Sequence, residues 1–139
     1  MDVKRFLTGT IVGGVVLFVL GWLIWMVLFA GFFEGQTGTA MGVPKDPPVM
    51  WAQILGTLSL AALYTLIIQW RGDSTVMDGL KTGAIAGFLL WFGVDIILFS
   101  VWNVSTLTGA ISDSILELVR TAITGAVIVA VAGKKGAET

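Results

Sequence analysis

The chain has 139 residues, 56% of them apolar and 12% charged, with eight Lys/Arg against nine Asp/Glu and neither Cys nor His. A soluble domain carries about 25% charged residues, so this balance points to an integral membrane protein. The missing Cys and His exclude disulfides, iron–sulfur clusters, thiolate and imidazole metal sites and the commonest general base, and a net charge of −1 gives no basic footprint for nucleic acid.

A bilayer core about 30 Å thick needs about 20 apolar residues at 1.5 Å each, and four stretches meet or approach that length. The first, Phe6 to Phe33, carries no charge. It measures about 42 Å as one helix and must tilt or protrude. It also exceeds the apolar core of a signal peptide, so it is read as an uncleaved span. Glu34 to Met50 contains Gly35, Gly38, Gly42, Pro44, Pro47 and Pro48 and is expected to be a turn or loop. The second span runs from Trp51 to Trp70 and the third from about Leu80 to Trp102. Between them, Arg71-Gly72-Asp73 reads as ordinary connecting sequence. The fourth is charge-free only from Thr121 to Gly133, too short to cross, so it must begin near Ser112 and carry Glu117 and Arg120 into the hydrocarbon. The expected fold is all-α, an integral membrane four-helix bundle forming a single domain over 1–139.

Lys4, Arg5, Arg71, Lys81, Lys134 and Lys135 fall on one face of this topology and Lys45 alone on the other. Positive charge collects on the cytoplasmic side, so both termini are expected there. Trp51 and Trp102 then mark the outer interface and Trp70 the inner one.

Helices in lipid associate through close backbone approach and shared polar contacts. Small residues four apart supply the first: Gly9 and Gly13 in span one, Gly83 and Gly87 in span three, Ala122 and Ala126 in span four. They are read as close packing within the bundle, with an oligomer interface as the alternative.

An ionisable residue inside a membrane is a site hypothesis with a partner to be named. Asp95 lies about 10 Å below the outer end of span three and Arg120 about 12 Å below that of span four. The shared depth predicts an Asp95–Arg120 ion pair. Glu117 shares a face with Arg120, and Asp113 lies one turn further out. Gln53 and Thr57 of span two complete the polar cluster. Its readings are a lock between helices, a solvated outer vestibule binding a proton, cation or small ligand, and contacts with a partner subunit or lipid headgroup. Trp22, Trp25 and Trp91 lie away from the interfaces and are read as packing, or as an aromatic wall for a lipid, quinone or pigment.

The Gly13-Gly14 pair, Gly21-Trp22, the Phe-rich run Phe29 to Phe33, Pro47-Pro48-Val49-Met50-Trp51 and Leu80-Lys81-Thr82-Gly83-Ala84 resemble a family of small four-helix bacterial integral membrane proteins of unknown function. The resemblance implies a four-span fold in a bacterial inner membrane and carries over no functional residue. Small multidrug transporters fit poorly, since their membrane-embedded Glu in span one has no counterpart between Phe6 and Phe33.

Two function classes compete, and neither is an enzyme or implies a cofactor or metal. The one the sequence favours is a non-catalytic accessory or structural subunit packing within a larger membrane assembly, or a homo-oligomer, with the lipid bilayer as its surroundings. The alternative is a small dimeric transporter or channel using Asp95, Glu117 and Arg120. The discriminator is whether those charges satisfy one another or leave one facing a water-accessible space.

Overall fold

The computed structural model describes residues 1–133. Helix α1 (Val3–Gly21) starts on Asp2, whose carboxylate accepts the Arg5 amide at 3.1 Å, a cap worth about 1 kcal/mol. The helix widens without a break into a π-helical segment, Trp22–Leu28, and the Phe29 amide reaches back five residues to the Ile24 carbonyl at 2.9 Å. Phe29 leaves helical geometry at φ −117°, and a short helix α2 (Ala30–Glu34) follows. The first apolar run is therefore not one uniform span to Phe33. Val3–Leu28 forms the membrane-length piece, and the surplus apolar residues turn off at Phe29.

Helix α3 (Met50–Arg71) ends on Gly72, whose φ of +73° is the left-handed stop that favours glycine. Helix α4 (Val76–Val101) opens with a reciprocal capping box between Thr75 and Asp78. Helix α5 (Leu107–Ala132) opens on Thr106, which accepts the Gly109 amide. Both α4 and α5 begin four to five residues before the apolar runs suggested, because their capping threonines precede those runs. Four helices are long and apolar enough to cross a membrane: α1 with its π-helical extension, α3, α4 and α5.

Helix α5 is the hub. Half of its most apolar 18-residue stretch is buried, against 6% of that of α4. Gly83 of α4 lies so close to α5 that an added Cβ would strike the Thr121 carbonyl, while Gly87 meets the Thr121 side chain and Gly79 meets Gly125. Ala122 is buried, but Ala126 is only half-buried. The residue that faces α4 one turn on is Gly125, outside the alanine register. Gly9 and Gly13 bring α1 against Thr65 and Ala61 of α3 and Ile128 of α5. Leu17, Ala61, Tyr64, Ile68, Ile128 and Val129 form the buried core at this junction. Helices α3 and α4, by contrast, meet only sparsely.

The two ends are tied by polar contacts. At one end the Gly- and Pro-rich connection is partly ordered: the Ala40 amide donates to the Asn103 carbonyl at 2.9 Å and the Thr106 amide to the Gln36 carbonyl at 3.0 Å. At the other, Arg5 Nε donates to the Ala132 carbonyl at 2.7 Å, placing a cation at the C-terminus of α5. Asp73 is buried there and accepts from Thr82 and Arg71, so it staples the α3–α4 connection.

Candidate functional site

Arg120 sits near the middle of α5 and points towards α1. Its Nη1 donates to Glu117 Oε1 at 2.8 Å. Its Nε and Nη2 both donate to the Leu17 carbonyl, at 2.9 and 2.7 Å. The guanidinium lies over the Trp25 ring, 5.3 Å from its centre, within cation–π range. Gly21 makes room for it, since a Cβ there would stand 2.8 Å from Nη2.

The expected Asp95–Arg120 pair is therefore not formed. Asp95 accepts instead from Ser114 Oγ at 2.9 Å and stands beside Asp113. Asp113 in turn accepts the Trp25 indole N–H at 2.6 Å. Helical rise fixes depth, but each residue also turns the side chain by about 100°. Arg120 faces α1 while Asp95 faces the Ser114 side of α5, so equal depth did not make them partners.

A cavity of about 450 Å³ opens between the helices on this cluster. Gly21, Trp22 and Trp25 wall it from the first span, Gln53 and Thr57 from α3, Trp91 from α4, and Asp113, Glu117 and Arg120 from α5. Four of the five predicted cluster residues, Gln53, Thr57, Glu117 and Arg120, thus share one space. Asp95 lines a second cavity, of about 230 Å³, with Phe33, Phe99 and Ser105. Asp113 borders both. A groove of about 280 Å³ between α1 and α3, lined by Ile11, Val15, Ile54 and Leu58, holds no titratable group.

The electrostatics of the cluster are unbalanced. Asp95, Asp113 and Glu117 stand against Arg120 alone, and neighbouring carboxylates in a poorly solvated place cannot all remain ionised without a proton or cation. Glu117 is 4% exposed, and its Oε2 makes no hydrogen bond within the protein. Among the described residues no three acidic side chains converge to hold a metal ion.

Trp25, Gly21 and the Leu17 carbonyl were outside the predicted cluster. A backbone carbonyl has no sequence signature, and Trp25 reaches Asp113 only through the π-helical segment. Asp113 did carry a signal, one turn from Glu117 on the same stripe. No known protein family, curated protein or solved structure matches the chain.

Proposed function

We propose that the protein is a small membrane transport protein whose cavity admits a proton, cation or small polar solute and delivers it to Glu117. The observation that carries this reading is Glu117 Oε2, a buried carboxylate oxygen without a hydrogen-bond partner beside a cavity that all four long helices wall. A purely packing subunit needs charges that cancel. Here Arg120 is engaged by Glu117 Oε1 and the Leu17 carbonyl, and the Asp95–Asp113 pair is left without a cation. Buried polar atoms are nearly always satisfied, and intramembrane carboxyls mark ion and proton paths.

The charge asymmetry supports cytoplasmic termini, with the cavity opening to the outside. The resemblance supports a bacterial inner membrane. A second reading, an accessory subunit or homo-oligomer, is favoured by the outward face of α4, where Ile85, Leu89 and Ile97 are exposed. Lipid covers such a face equally well.

The test begins with the mass of the native particle extracted in mild detergent, followed by reconstitution into vesicles. A particle built of this chain alone that passes protons or monovalent cations, with flux lost in Glu117→Gln, is the expected result. A particle with stoichiometric foreign subunits and no flux would replace the transport reading with the accessory one.

A further inference from the structure

Glu117 Oε2 has two neighbours in the same condition. Tyr64 Oη and Trp91 Nε1 are also shielded from solvent and make no hydrogen bond within the protein. Tyr64 projects from α3 at 2% exposure, Trp91 from α4 and Glu117 from α5. Tyr64 lies beside the Trp91 indole and within electrostatic reach of Glu117 and Arg120. Trp91 and Glu117 wall the larger cavity, and Tyr64 is not part of its lining.

The Trp91 indole approaches Tyr64 Oη, yet no hydrogen bond of ordinary length and angle closes among the three complementary groups. An indole N–H only donates, a carboxylate oxygen only accepts, and a phenol does both. One water placed among them would satisfy all three, accepting from Trp91 and Tyr64 and donating to Glu117, within the two to four bonds a buried water makes. A bare metal cation fits poorly, because the Trp91 indole presents only a hydrogen and the phenol and carboxylate supply two oxygens where such ions take six or more.

Resting on the transport reading above, we propose that the ion taken up at this point is the proton, bound on Glu117 Oε2 against one water held by Trp91 and Tyr64. The proton arrives from cavity water and forms an O–H bond on Oε2. Oε1 keeps its bond from Arg120, and the Glu117–Arg120 pair goes from neutral to a single positive charge. Release breaks that O–H bond: Tyr64 turns its hydroxyl to accept from the water, the lone pair so freed takes the Oε2 proton, and the water passes one of its own protons back to the cavity water. The charged and titratable groups around Glu117 are Arg120 and Asp113 on α5, Asp95 on α4 and Tyr64 on α3. The first span contributes the Leu17 carbonyl, which holds Arg120.

Two readouts on the full chain in bilayers test this. In vesicles enclosing a pH-sensitive dye, a pH step should move the internal pH, with the rate falling about a hundredfold in Glu117→Gln and about tenfold in Tyr64→Phe. In solid-state NMR with 15N-labelled Trp, the indole assigned by Trp91→Phe should show transfer from a long-lived water, lost in Tyr64→Phe. Vesicles that pass Na⁺ or K⁺ while the internal pH stands still would overturn the proton and leave the transport reading intact. Vesicles that pass nothing would remove both. A Trp91 indole without water contact, or wild-type proton flux in both variants, would overturn the water-linked site even if protons cross.

Discussion

At Arg120 a single guanidinium joins three elements: α5 through Glu117, α1 through the Leu17 carbonyl, and the π-helical segment through the Trp25 ring. Its side chain is 11% exposed and that of Glu117 5%, so solvent screens the pair weakly. Removing one member of such a pair strands the other and costs about 3–5 kcal/mol, whereas replacing both with apolar residues is close to neutral. Arg120→Leu and Glu117→Leu should each lower the thermal midpoint in detergent, and the double variant should regain most of the loss. Asp95→Leu should couple to Arg120→Leu more weakly than Glu117→Leu does, because Asp95 and Arg120 share no direct contact and reach each other through Glu117. Strong coupling between Asp95 and Arg120 in that cycle would restore the pairing expected from depth. The sequence carried the depth of each charge and the membership of Glu117 on the Arg120 face. It could not carry the azimuth of α4 against α5, nor a carbonyl acceptor on another helix.

The seam between α4 and α5 depends on backbone approach rather than on side-chain interdigitation. Gly83 faces the Thr121 carbonyl and the Ala122 Cα, rigid atoms that cannot swing aside. Gly83→Ala should force the helices apart and cost about 1–3 kcal/mol, as overpacking does. Gly93, on the same helix, has open space where a Cβ would stand, so Gly93→Ala should show no loss in the same melting experiment. Equal losses at both positions would mean that α4 does not lie on α5 as described. Four-residue spacing made Gly83, Gly87 and Ala122 legible as seam residues. Gly125 was not picked out because Ala122 and Ala126 offered a more regular spacing, while the contact with Gly79 runs through Gly125. The π-helical turn Trp22–Leu28 was not legible at all, since its residues contain neither Pro nor Gly. What marks it are tertiary contacts, with Trp25 pinned to Asp113 and stacked under Arg120.

For the molecule as a whole, the direction of the cavity follows from which ends of the helices lie outside. Among the described residues, Lys4, Arg5, Arg71 and Lys81 share one end and Lys45 lies at the other; Lys134 and Lys135, which strengthen the bias, fall outside the described residues. The contacts of Gln36 and Ala40 with Thr106 and Asn103 place the first and third connections together, as an even number of crossings requires. The absence of cysteine makes single-thiol labelling clean. Met41, 95% exposed in the first connection, and Ser74, exposed between α3 and α4, are suitable positions. In intact cells a membrane-impermeant maleimide should label Met41→Cys, and should reach Ser74→Cys only after permeabilisation. The reverse pattern would turn the cavity with Glu117 towards the cytoplasm, and a proton bound there would come from the cell rather than from outside. Labelling at both positions in intact cells would mean that the chain inserts in two orientations, and antiparallel pairs would then present one cavity to each side of the membrane.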